Sequence, residues 1–144
     1  MKSGVKVVRT NVKEVLAATS GDRLGRAVML GALIFEAEVK NLMQSASPSG
    51  RMYGSHRASA PGEPPAIDTA AYINSIQTQL AESTATTATA ESGTDEILGI
   101  WLEYGTRKMA ARPHFRPSFD KTVEQIKAAI SKTVKGNITA AIKR

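Results

Sequence analysis

The chain contains no cysteine, so neither a disulfide framework nor a thiolate metal site can form. That absence suits a protein made and kept in a reducing cytoplasm. With only 2 histidines, zinc is not expected either, and no cofactor is expected. Aromatic residues make up 5% of the chain although 42% is hydrophobic, so a core must rest on Val, Ile, Leu, Met and Ala. The longest apolar run, residues 27–35, falls well short of the roughly 20 residues a membrane-spanning helix needs. The opening Met1-Lys2-Ser3-Gly4-Val5-Lys6 is basic but no apolar run or cleavage site follows, so a secretory leader is not expected. Gly99 and Gly105 do not fit a nucleotide-binding fingerprint.

What is present is 144 residues, enough for one domain over residues 1–144. The net charge of +6 is unevenly spread. Residues 1–26 hold six Lys/Arg against two Asp/Glu, giving +4. Residues 27–104 hold three against nine, giving −6, and residues 105–144 hold ten against two, giving +8. Such polarity suits a subunit that meets partners through patches of opposite sign, or one that turns a basic face to nucleic acid. A solvated helix face accounts for the C-terminal lysines equally well.

Val5, Val7 and Val8 form a β-branched cluster that fits an edge strand. Over residues 22–43 the apolar positions Leu24, Val28, Ala32, Phe35, Val39 and Leu42 recur at steps of three and four, predicting a helix capped by Ser20 or Asp22. Met29, Leu30, Leu33 and Ile34 widen its stripe, so its middle is expected to be buried on more than one side. Residues 47–66 carry four prolines, three glycines and four serines. With so little apolar side chain, this stretch is expected to be an extended arm, loose in the free subunit and ordered on a neighbour.

Asp68-Thr69 can cap a turn through Tyr72. Ile76, Thr78, Leu80 and Glu82 then alternate with Gln77, Gln79 and Ala81, which predicts a half-buried strand. Residues 84–91 supply a hairpin partner and Ser92-Gly93-Thr94-Asp95 a turn. For residues 97–104 the pattern does not decide between strand and helix. Pro117 fits the first turn of a last helix over residues 117–143. Phe119, Val123, Ile126, Ile130 and Val134 line its apolar side, Lys121, Lys127, Lys132 and Lys135 its back, and Gly136-Asn137 can end or kink it.

Catalytic chemistry is not expected. His56 sits in the arm and His114 beside Pro113, neither with a carboxylate at a diagnostic spacing, and His114 is expected to pack or hydrogen-bond within its turn. Trp101 is expected in the core.

Two stretches carry a family resemblance. The first is His56-Arg57-Ala58-Ser59-Ala60-Pro61-Gly62-Glu63-Pro64-Pro65-Ala66-Ile67-Asp68-Thr69, followed by Asn74-Ser75-Ile76. The second is Leu102-Glu103-Tyr104-Gly105-Thr106, then Ala111-Arg112-Pro113-His114-Phe115-Arg116-Pro117. In this order they resemble the neck and minor tail-component proteins of long-tailed bacteriophages, a family similar to the tail-completion protein Z of lambdoid phages. The resemblance spans about residues 20–135. It departs where the family often has Gly-x-Leu after the threonine and this chain has Ala70-Ala71-Tyr72.

The resemblance implies a virion structural protein, not an enzyme: a ring of identical subunits around the DNA channel, between a head-closure protein and a tail-terminator or tail-tube protein. Its place would be the virion neck, after assembly in the host cytoplasm, with no membrane partner. The expected assembly contacts are Arg57, Pro61, Glu63, Pro64, Glu103, Tyr104, Gly105, Thr106, Arg107, Arg112 and Arg116. Glu103 and Tyr104 serve equally well to stabilise the fold. Lys108, Lys121, Lys127 and Lys132 are expected to touch channel DNA without reading its sequence. The tail-terminator ring is the neighbouring alternative. A basic nucleic-acid-binding module is the alternative of another class, weakened by a C-terminal helix whose polar side offers only Lys, Thr, Ser and Gln for base contact. The expected fold is α+β, a small antiparallel sheet packed against two long helices, with the Pro/Gly-rich arm extended.

Overall fold

Two long helices lie close together at a glycine. A Cβ at Gly31 would lie 2.9 Å from both the Ile126 and the Ile130 side chains, so a larger residue there would have to push them aside. Gly31 belongs to helix α1, Asp22–Gln44, and the two isoleucines to helix α4, Phe115–Ile142. These observations come from a computed structural model describing residues 16–17 and 22–143. The strand expected at Val5, Val7 and Val8 and the cap expected at Ser20 lie outside the described residues.

Between the helices run, in order, β1 (Met52–Tyr53), β2 (His56–Arg57), α2 (Ala70–Ser75), β3 (Gln77–Ser83), β4 (Ala88–Gly93) and α3 (Ile97–Tyr104). The strands form two antiparallel pairs, β1 with β2 and β3 with β4. The fold is α+β with long helices, as the patterning predicts. Its contacts divide into two compact units that interleave along the chain. One comprises residues 1–32, 79–91 and 125–144, the other residues 33–78 and 92–124.

In the first unit, Gly25 of α1 faces Leu80 of β3, whose Cδ2 would be 3.3 Å from a Cβ there. Leu80 nevertheless stays 44% exposed, so the alternation in β3 does not produce the half-buried strand expected of it. A two-stranded ribbon has no second layer to cover the face it turns outward. The β3–β4 turn is closed by Thr84, whose Oγ1 accepts from the Thr86 and Thr87 amides at 3.3 and 3.0 Å.

The second unit holds the better-formed core. Val39, Met43, Ile73 and Ile76 are buried, with Phe35, Tyr72 and Phe115 packed around them. Full burial of Ile76 and Val39 contributes about 1.5–3 kcal/mol each.

Two expectations about the helices are corrected here. Leu30 and Leu33 are 43% and 47% exposed, so α1 is not buried on a second side in its middle. At the start of α4 the buried positions are Ser118 and Thr122, whereas Phe119 is half exposed. Hydroxyls can occupy a buried stripe when their own helix satisfies them. Ser118 Oγ donates to the His114 carbonyl and Thr122 Oγ1 to the Ser118 carbonyl, both at 2.7 Å. Helix α4 continues through Gly136-Asn137 without ending.

Candidate functional site

The arm and the turn after α3 fold onto each other within the second unit. The arm begins with the β1–β2 hairpin, in which Met52 pairs with Arg57 and Tyr53 with His56. Gly54 takes a φ of 61° in its two-residue loop, a conformation glycine adopts without a side-chain penalty. The Gly50 amide donates to the Ala58 carbonyl at 2.7 Å, and the Gly62 amide to the Ala111 carbonyl at 2.9 Å. Ser59 and Pro65 are buried. Residues 47–66 therefore have a folded anchor in the subunit itself, supplied by backbone hydrogen bonds that composition cannot reveal.

Arg112, expected among the assembly contacts, instead completes this anchor from inside the fold. It is only 7% exposed. Its Nε donates to the Ser59 carbonyl at 3.1 Å and its Nη1 to the Ala110 carbonyl at 3.3 Å. A planar guanidinium with five donors suits the bridging of two carbonyls in a confined space.

Glu103, from the end of α3, reaches the start of α4. Its Oε2 accepts from the His114 and Phe115 amides at 2.8 and 2.9 Å, and its Oε1 from the Arg116 amide at 2.9 Å. The next residue, Pro117, has no amide proton. All the free donors of this helix start are thus satisfied or absent, and a carboxylate lies at the positive end of the helix dipole. Burial would raise the Glu103 carboxyl, but these amides, with His114 nearby, hold it below the ordinary 4.5.

His114 is fully buried. Burial lowers its pKa from 6.5, against smaller opposing effects of the Arg112 carbonyl and Glu103. Nδ1 lies 3.3 Å from both the Arg112 carbonyl and Glu103 Oε2. Two acceptors there assign the ring proton to Nδ1 and leave Nε2 to accept from the Tyr72 hydroxyl at 2.6 Å. Burial and the Glu103 charge push Tyr72 upward, so the hydroxyl stays protonated. Each group in this Tyr–His–Glu line is engaged by another part of the fold. Sequence spacing could not find it, because Tyr72 and His114 are 42 residues apart.

Gly105 sits at the C-terminus of α3 with a φ of 76°, a conformation glycine adopts without a side-chain penalty. A Cβ there would lie 2.8 Å from the Met109 carbonyl oxygen and 2.9 Å from the Ala111 amide nitrogen. Thr106 bridges Met109 and so closes the turn that carries Arg107 and Lys108.

The remaining expected contacts fall into two groups. Glu63 accepts from Ser49 Oγ at 2.6 Å and Arg57 Nη1 donates to the Gly50 carbonyl at 3.2 Å, tying both to the arm. Pro64 is half-buried, whereas Pro61, Arg107, Lys108 and Arg116 are exposed and Tyr104 is 76% exposed. Of the expected DNA contacts, Lys108 and Lys121 belong to the second unit and Lys127 and Lys132 to the first, all at exposed positions. Lys121 pairs with Glu38 at 2.6 Å.

Sequence reasoning missed one feature. Ile97, Ile100, Trp101 and Tyr104 follow at helical steps of three, one and three along α3, yet all are about half exposed or more. Trp101, expected in the core, is 47% exposed. Composition does not distinguish an apolar face turned outward from one turned inward.

No known protein family, curated protein or solved structure matches this chain. Among the described residues no helix is long and apolar enough to cross a membrane, and no cluster of acidic and histidine side chains is arranged to hold a metal ion.

Proposed function

We propose that this chain is a non-catalytic structural subunit of a tailed-bacteriophage neck, a tail-completion component that joins head to tail as a ring around the DNA channel. The observation that carries the reading is that the two stretches bearing the family resemblance meet in one body. The Gly62 amide bonds the Ala111 carbonyl at 2.9 Å, Arg112 bonds the Ser59 carbonyl, and Glu103 caps the helix that starts within the second motif. The polar residues of the motifs that could have carried chemistry, Glu103, Arg112 and His114, are engaged inside the fold. Those left outside, Tyr104, Arg107 and Lys108, are the aromatic and basic kinds that suit protein or phosphate contact.

The test is a phage whose own copy of this chain carries Arg107→Glu and Lys108→Glu. The expected result is folded protein with filled heads and complete tails that remain unjoined in electron micrographs. Normal plaque numbers, or purified virions that lack the chain altogether, would remove the reading.

The net charge of +6 favours one reading of another class, a basic nucleic-acid-binding module. Phosphate contact alone gives DNA affinity that falls steeply with salt and ignores sequence. Sequence-selective binding by the free chain would favour the module.

A further inference from the structure

Within the second unit the structure carries two apolar patches ringed by opposite charge. The first is the outward face of α3 with the adjoining start of α4. Tyr104, Ile100, Ile97 and Phe119 are 76%, 58%, 54% and 50% exposed. They border a groove of about 490 Å³ floored by Phe35 and Phe115. Its rim is acidic: Asp95, Glu96 and Asp120 line it, with Arg116 the single basic group among the lining residues. Glu103 also lines it but is engaged by the amides of α4. Exposed apolar surface of this continuity, rimmed by polar groups, marks an interaction site.

The second patch is the β1–β2 hairpin. Met52 and Tyr53 are 45% and 55% exposed on β1, with Tyr53 next to the turn. Arg51 stands over the Tyr53 ring at 5.8 Å, and Arg57 is on the paired strand. Lys108 borders a separate hollow that Tyr53 also lines. None of these residues lines the acidic-rimmed groove.

We infer that the acidic-rimmed groove of α3 and α4 receives the β1–β2 hairpin of a second copy of this chain. Tyr53, beside the turn of the hairpin, fills the groove, and Arg51 and Lys108 meet Asp95 and Glu96 at its rim. The charge signs decide for a copy over a symmetric pairing. Two acidic rims laid face to face would repel, whereas a groove attracts a basic knob, an attraction that a head-to-tail contact satisfies. Each copy then keeps one free groove and one free knob, and such a contact propagates until the rotation closes a ring. The inference rests on the assembly reading above and names its surface.

The experiment is sedimentation velocity of the full chain over a rising concentration series, with circular dichroism melts to verify folding. The wild type is expected to form dimers and longer species. Asp95→Lys with Glu96→Lys should raise the concentration of half-association by about tenfold or more, as should Arg51→Glu with Lys108→Glu. The chain carrying all four substitutions should associate again near the wild-type concentration, but not with wild-type chain. A folded wild type that stays monomeric throughout overturns the inference and makes a different protein the occupant of the groove. Association that neither reversal weakens, or that the combined variant fails to restore, overturns it as well. A monomeric result leaves the neck reading standing, because that depends on joined virions. Self-association of a chain absent from virions does the reverse.

Discussion

Tyr72 donates its hydroxyl to His114 Nε2 at 2.6 Å, while the opposite nitrogen of the ring faces the carboxylate of Glu103. One short helix is thereby tied to another through a buried imidazole, and the last helix starts from the same point. The stability of the second unit depends on this line of groups, and its response to mutation and pH follows from their ionisation.

Glu103→Ala should destabilise the chain by about 2–4 kcal/mol. Losing a helix cap costs about 1 kcal/mol, and an unsatisfied buried donor costs about 1–3 kcal/mol more. Of the three amides released, that of Arg116 can turn to water, so the sum stays below three full penalties. Glu103→Gln keeps an accepting oxygen and should lose less. Urea unfolding of the three proteins checks the order; equal midpoints for wild type and Glu103→Ala would show that the cap contributes nothing.

Acid should weaken the fold in two stages. His114 has a folded pKa lowered from 6.5 by burial. The unfolded chain therefore takes up the proton first, and stability present above 6.5 is lost as pH falls through the folded value. The slope is at most about 1.4 kcal/mol per pH unit. Glu103, lowered from 4.5, has the same sign at lower pH: its contribution is present above 4.5 and is lost as pH falls through its folded value. Thermal melts of the wild type should show both declines. His114→Gln should flatten the first and keep the second. Tyr72 is raised from 10.0 by burial and by the Glu103 charge, so its contribution is present below 10.0 and is lost as pH rises beyond it. Tyr72→Phe should remove that alkaline decline.

The long helices and the β3–β4 hairpin were legible because period and turn residues act over neighbouring positions. The Tyr72–His114–Glu103 line was not, because tertiary packing brings its members together. Arg112 and Trp101 show opposite failures of polarity as a guide. The arginine is buried because two carbonyls need its donors, and the tryptophan is exposed because nothing among the described residues covers the outward side of α3. The buried Ser118 and Thr122 likewise depend on hydrogen bonds to their own helix, which periodicity of apolar residues ignores.

Gly105→Ala should cost more than an ordinary surface change. The φ of 76° and ψ of 178° at Gly105 lie in a region open to glycine almost alone, and strain any residue with a Cβ by about 1–3 kcal/mol. The added atom would also meet the Met109 carbonyl oxygen at 2.8 Å and the Ala111 amide nitrogen at 2.9 Å. Both are backbone atoms and cannot swing aside as a side chain does. The expected loss is about 2–4 kcal/mol, larger for Gly105→Val, read as a lower melting temperature. A Gly105→Ala protein as stable as wild type would mean that the turn relaxes freely.

Arg112 and Arg107 lie five residues apart on one turn, and charge reversal should separate folding from assembly between them. Arg112→Glu removes the donors to the Ser59 and Ala110 carbonyls and buries a carboxylate among acceptors. Uncompensated buried charge of this kind costs about 3–5 kcal/mol, a large part of the stability of a domain this size. The variant should be insoluble or melt far below wild type, and Arg112→Lys should be intermediate because one ammonium reaches fewer carbonyls. Arg107 is exposed, and Arg107→Glu should leave unfolding within about 0.5 kcal/mol of wild type, as surface changes usually do. If the neck reading holds, Arg107→Glu phage make folded subunits yet yield fewer joined particles than wild type. Folded, soluble Arg112→Glu protein would break the structural half of this contrast. Undiminished joining by Arg107→Glu phage would break the functional half.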